Sequence, residues 1–173
     1  MILPKKCKQL VERIINKAKK INAKKLVFHS HQIQNYKYIF QEGFVSAIEN
    51  APDGKKKIGL QTVKENKKLL ETHKGLKLVF DPTHALVNSI MPKDFLELKD
   101  YIIAVQVSGI SQIGGKTTEH LRLTQTPKEM LKLIRPVMDL DTTFIIESTI
   151  SKQNSRKEIM EEIKFVKNKF NMS

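Results

Sequence analysis

Leu76-Lys77-Leu78-Val79-Phe80-Asp81-Pro82-Thr83-His84 is the stretch on which the fold turns. A short apolar run ends in an acid, then a proline, then a histidine three residues past the acid. Such a run bounded by turn chemistry reads as a buried strand. Pro82 has no N–H to donate to a ladder, so the strand stops at Asp81 and His84 lies on the turn beyond it. In parallel α/β folds that edge holds ligands and metals. One D-x-x-H is a weak signal by itself, since Asp81 also suits a plain turn cap.

The device recurs. Val45-Ser46-Ala47-Ile48-Glu49-Asn50-Ala51-Pro52 and Phe144-Ile145-Ile146-Glu147 are apolar, β-rich runs closed by one carboxylate, and Lys25-Leu26-Val27-Phe28-His29 is closed by an imidazole. Carboxylates gathered at neighbouring strand ends repel and resist ionisation unless a cation or a proton compensates them. A further strand spans Ile102 to Ser108. Five strands, near residues 25, 45, 78, 104 and 145, alternate with helices. That order predicts an α/β domain with a parallel sheet and right-handed crossovers.

The helices carry their own signals. Pro4 to Ile21 is amphipathic, with Leu10, Val11, Ile14, Ile15, Ala18 and Ile21 on one face and Asn22 as its stop. Thr62-Val63-Lys64-Glu65, Thr126-Pro127-Lys128-Glu129 and Ser155-Arg156-Lys157-Glu158 each read as a capping box, a hydroxyl three residues before a glutamate. The last helix is expected to bury Ile159, Ile163, Val166 and Phe170. Ala85 to Asp100 reads as a helix broken at Pro92, and Gln32 to Gly43 as a short helix or an apolar connector. Gly109 to Gln125, containing Gly114-Gly115-Lys116 and Glu119-His120, reads as a long functional loop.

At 173 residues the chain is expected to form a single domain, residues 1–173, with a real core. No apolar run approaches the roughly eighteen residues of a membrane span. The N-terminal stretch lacks a signal-peptide core, and the lone Cys7 excludes an intrachain disulfide, so a cytoplasmic location is expected. The net charge is +13, but the excess is lysine; arginine appears only at 13, 122, 135 and 156. We therefore read the lysines as solvated helix faces before a nucleic-acid surface.

Taken together, His29, Glu49-Asn50, Asp81-x-x-His84, Gln106-Val107-Ser108, His120 and Glu147 resemble the C-terminal part of the xylose-isomerase-like barrel superfamily. That group holds sugar and sugar-phosphate isomerases and epimerases, and abasic-site nucleases of the endonuclease IV type. The resemblance implies a partial, open (β/α) TIM-type barrel with a divalent metal, Mn, Mg, Co or Zn, at its mouth. It implies Glu49, Asp81, Gln106 and Glu147 as metal ligands and Glu49, Glu147 and His84 as catalytic groups. His29, His84, His120 and Lys116 would bind substrate, with Lys55, Lys56 and Lys57 as further candidates for a phosphate.

Two departures bear on the chemistry. Gln106 stands where the family has a histidine, and Thr118 where the nucleases have an aspartate. An amide oxygen suits a hard cation better than zinc. The resemblance thus favours a sugar or sugar-phosphate isomerase or epimerase, moving a proton through a metal-stabilised enediolate, over a nuclease. A third reading is a non-catalytic subunit or degenerate relative. Five strands cannot close an eight-stranded barrel, so a homodimer or a second chain is expected to complete the sheet.

Overall fold

A computed structural model describes residues 5–30, 33, 35–50, 62–113, 116–150 and 155–170. Five parallel strands form one sheet in the order of the chain: β1 (Lys25–His29), β2 (Val45–Glu49), β3 (Lys77–Phe80), β4 (Ile102–Val107) and β7 (Thr143–Ile146). Helices α1 (Lys5–Lys20), α2 (Val63–Thr72), α3 (Pro82–Val87), α4 (Lys128–Met138) and α5 (Ser155–Phe170) alternate with them. The result is an open half-barrel.

Strand alternation sorts the residues onto two faces. Ile48, Leu78, Phe80, Val105 and Val107 turn outward into the main core with Leu70, Phe95, Leu98, Leu131, Ile134 and Val166. Phe80 and Phe95 stack there with ring centroids 4.5 Å apart. The inner face is narrow and lined by small residues, Ala47, Val79 and Ala104. The sheet curls enough that Lys25 Nζ on β1 reaches the Ile103 carbonyl on β4 at 3.2 Å. Towards the two unpaired edges the inner face opens, leaving Val27, Val45 and Ile145 partly exposed.

Most element assignments from sequence match, and the exceptions have physical causes. Asn22 ends α1 as expected, with a left-handed φ of 54°. On α1 Ile15 and Ala18 are buried and Ile14 is exposed, as is Ile21 just past the helix, while the Leu10 side chain lies outside what is described. The described part of the connector after β1 includes a 3-10 turn, Tyr36–Tyr38, and the segment after α3 is a 3-10 helix, Pro92–Tyr101.

The Thr62 capping box forms in full: Thr62 Oγ1 accepts from Glu65 N, and Glu65 Oε2 accepts from Thr62 N at 2.8 Å. The Thr126 box does not. Thr126 ends a 3-10 turn (Leu123–Gln125) and donates its hydroxyl back to the Arg122 carbonyl, so Pro127 becomes the N-cap of α4. Ser155, expected as the cap of the third box, is already part of α5, and the residues before it lie outside those described.

Two further expectations are corrected. The loop from Gly109 is a β-hairpin of β5 (Gly109–Ile113) and β6 (Lys116–Leu121). A Gly-Gly pair between two strand-like runs is the sequence signal for it. Gly109 starts the hairpin against the Arg122 backbone and Thr126 Oγ1, so closely that no Cβ fits. On α5 the buried residues are Glu162, Val166 and Phe170; Ile159 is exposed and Ile163 half-buried. The helix is turned to bury an acid in place of an isoleucine.

Candidate functional site

The C-terminal ends of the parallel strands carry the polar residues. His29 and Glu49 are register partners on β1 and β2, with Nε2 and Oε2 3.4 Å apart. Asp81 and Gln106 directly follow the paired Phe80 and Val105, so both close the same end of the sheet. Glu147 follows β7, its N–H bonded to the Val107 carbonyl at 2.9 Å.

Asp81 is completely buried and caps α3, as Pro82 at the first helical position demands. Its Oδ1 accepts from Thr83 N at 2.6 Å and His84 N at 3.1 Å. Asn50, equally buried, locks β2 to this turn by a reciprocal pair: Nδ2 donates to the Asp81 carbonyl at 2.8 Å and Oδ1 accepts from Asp81 N at 2.7 Å. His84 is held by the same segment, with Nδ1 2.9 Å from the Asn50 carbonyl and 3.2 Å from Glu49 Oε1. A carbonyl only accepts, so Nδ1 carries a proton and Nε2 is the edge left towards Asp81 Oδ2, 3.7 Å away.

Glu49, Asp81 and His84 each offer one ligand atom within 4.8 Å of the others, and all three are buried. Burial pushes the Asp81 carboxyl up to about 6 despite the nearby His84. Burial opposes charge on His84 too, but the hydrogen bond it donates to Glu49 and the nearby Asp81 carboxyl outweigh it and raise its pKa to about 9. At neutral pH His84 is therefore an imidazolium wedged between two acids. It supplies part of the positive charge the strand ends need.

Asp81 Oδ2 is buried and accepts no hydrogen bond. Such an oxygen is costly to bury unless something else satisfies it. Glu49 and Asp81 thus present two neighbouring buried carboxylates, one with an unsatisfied oxygen, and such hard oxygen donors fit a divalent cation.

A second arm faces the first. Glu119 and His120, at the end of β6, join His84 in another group with ligand atoms within 4.8 Å. The rings of His84 and His120 meet edge to face at 5.9 Å. Neighbours along a strand normally point to opposite faces. Here His120 has a left-handed φ of 57°, which breaks the alternation and lets both side chains approach His84. Nothing in a single sequence signals that twist, and Glu119 carries no assigned role until the structure is seen. Glu119 Oε2 is buried without a hydrogen-bond partner.

Gln106 and Glu147 pair with each other, Nε2 to Oε2 at 3.3 Å, while Gln106 Oε1 is buried and unpartnered. Glu147 is exposed and joins neither group of three among the described residues. Lys116 opens β6, and its side chain lies outside what is described, as do Lys55, Lys56 and Lys57. No described helix is long and apolar enough to cross a membrane.

No family model matches the chain, and no curated protein matches it in sequence. Solved structures do match. A D-tagatose 3-epimerase-like protein superposes over 97% of this chain and 74% of its own, with a TM-score of 0.64 and 18% identity. The probable 3-DHS dehydratase AsbF of petrobactin synthesis in Bacillus anthracis matches over 94% of this chain and 70% of its own, with a TM-score of 0.67 and 18% identity. A xylose-isomerase-like TIM barrel protein from Mycobacterium smegmatis, solved with magnesium, matches over 90% and 64%, with a TM-score of 0.55 and 14% identity. The chain thus has the fold of the xylose-isomerase-like TIM barrels, as a five-stranded open part of one.

Proposed function

We propose that the chain binds a divalent metal at Glu49 and Asp81, beside His84, and acts as an isomerase or epimerase on a sugar or sugar phosphate. The observation that carries this reading is the buried, unsatisfied Asp81 Oδ2 beside a second carboxylate and an imidazole. Epimerase-like proteins and a dehydratase among the neighbours of this fold support it.

A cation held there, with Gln106 Oε1 as a further oxygen donor, would supply Lewis-acid polarisation of a substrate carbonyl. The remaining work falls to side chains of this chain. Glu49 and Glu147 act as the proton carriers, one taking a proton from the carbon beside the carbonyl and the other returning it. His84 offers Nε2 to a substrate oxygen, with Nδ1 fixed by Asn50 and Glu49. His29 and His120 flank the site and hydrogen-bond the rest of the sugar. The hard-oxygen character of the donors favours Mg²⁺ or Mn²⁺ over zinc.

The test is Mn²⁺ binding by electron paramagnetic resonance, followed by deuterium uptake from D₂O into candidate ketoses. Wild type should bind and Asp81→Asn should not. Absence of bound Mn²⁺, with Glu49→Gln and Glu147→Gln indistinguishable from wild type, leaves only a non-catalytic scaffold. Salt-dependent binding to abasic duplex DNA would instead promote the nuclease reading. The exposed Val27, Val45 and Ile145 beside the open edges favour a second copy, or another chain, completing the sheet. Light scattering decides it: a strict monomer at working concentration removes the homodimer.

A further inference from the structure

One buried acid has no part in the reading above. Glu162 on α5 is fully buried, and five donors converge on it. Oε1 accepts from Thr124 Oγ1 at 2.7 Å, Thr124 N at 3.2 Å and Arg122 Nε at 3.3 Å. Oε2 accepts from Leu123 N at 2.7 Å and Ser148 Oγ at 3.3 Å. A carboxylate is costly to bury unless its lone pairs are filled, so an arrangement this complete holds its donors as firmly as they hold it.

Those donors come from two stretches, and each begins within two residues of a site residue. Arg122, Leu123 and Thr124 come just after His120, and Ser148 adjoins Glu147. The two stretches are also tied to each other, Thr149 N donating to the His120 carbonyl at 2.7 Å. His120 itself sits in a left-handed conformation that non-glycine residues rarely adopt. Such a conformation persists only where its surroundings over-determine it. The apolar pattern of α5 offers isoleucines to the core, yet the helix turns to bury Glu162 instead.

We propose that Glu162 is a positioning residue for the open arm of the site. It anchors the chain beyond His120 and beyond Glu147, and so keeps Glu119 and His120 turned towards His84. The proposal rests on reading that arm as part of the site, but what it claims is geometry, which is measurable without any reaction.

The experiment compares wild type with Glu162→Gln, Thr124→Val and Ser148→Ala in the full chain, by thermal unfolding and by histidine ring ¹H–¹⁵N correlation spectra, with and without Mn²⁺. In Glu162→Gln the His120 ring resonances should move by more than a linewidth, while those of His73, stacked on Tyr36 elsewhere, stay in place. If Glu162→Gln does not fold, Thr124→Val, which removes one bond on the His120 side, must move His120 more than Ser148→Ala does. His120 resonances that coincide with wild type while the melting temperature drops would make Glu162 scaffold only and overturn the proposal. Failure of wild type to bind Mn²⁺ would sink the proposed function but leave the ring-shift result to decide this one.

Discussion

The two arms of the site are built on opposite plans. Glu49, Asp81 and His84 lie on or just past strands of one parallel sheet, are buried, and are fixed by bonds within a few residues of each other or across adjacent strands. Glu119 and His120 are more exposed and lie on a hairpin outside that sheet, and the chain just beyond them bonds a buried acid on a distant helix. The first arm is preorganised by the sheet. The second is held in place by tertiary contacts that the sheet does not supply.

The contrast is broken most severely at Asn50. Asn50→Ala leaves the Asp81 N–H buried without a partner and its carbonyl with only the longer bond from Ala85 N, so we expect a loss on the order of 2–4 kcal/mol in urea unfolding. A loss under 1 kcal/mol would show that the strand-end arm is less rigid than its bonds imply.

The pH dependence comes next. His84 has a pKa raised from its ordinary 6.5 to about 9 in the folded chain, so its contribution is complete below pH 6.5 and is lost as pH rises through 9. Asp81, raised from 3.8 to about 6, acts in the same direction over a lower window: its contribution is complete below pH 3.8 and lost as pH passes 6. We expect stability to fall on the order of 3 kcal/mol between pH 6.5 and 9.5, and His84→Gln to flatten that slope. A slope unchanged in His84→Gln would assign it to other groups.

The hairpin arm is tested at Gly109. Gly109→Ala drives a methyl into the Arg122 backbone, at a cost of about 1–3 kcal/mol. Hydrogen exchange should speed up in β5 and β6 while the amides of β2 and β3 keep their protection. Uniform acceleration across both would mean the arms are one cooperative unit.

The smallest effect separates two look-alike tetrapeptides. Thr62→Ala removes a formed capping box and should cost about 1 kcal/mol. Thr126→Ala removes one long hydroxyl bond to the Arg122 carbonyl and should cost no more than about half of that. Equal costs by chemical denaturation would mean that cap geometry does not decide the energetics here.

The same division separates what was legible in the sequence from what was not. The parallel half-barrel could be read because every core strand is a short apolar run stopped by one polar residue, and because strand and helix alternate. A short apolar run closed by turn chemistry needs no long-range information, so β1, β2, β3, β4 and β7 and the terminal His29, Glu49, Asp81 and Glu147 were visible one segment at a time. Grouping Glu49 with Asp81 follows from adjacent parallel strands. The hairpin was legible in principle from Gly114-Gly115, but a long loop and a hairpin share the same polar composition.

The sequence alone determined which residues stand at the strand ends, since local alternation and turn chemistry act within a few residues. Only the tertiary structure decided that α5 would bury Glu162 in place of Ile159, that Thr126 would bond backwards, and that His120 would twist Glu119 towards His84. Each of these depends on partners some 4 to 40 positions away along the chain, where a carboxylate or a left-handed turn gains more from converging donors than local propensity offers.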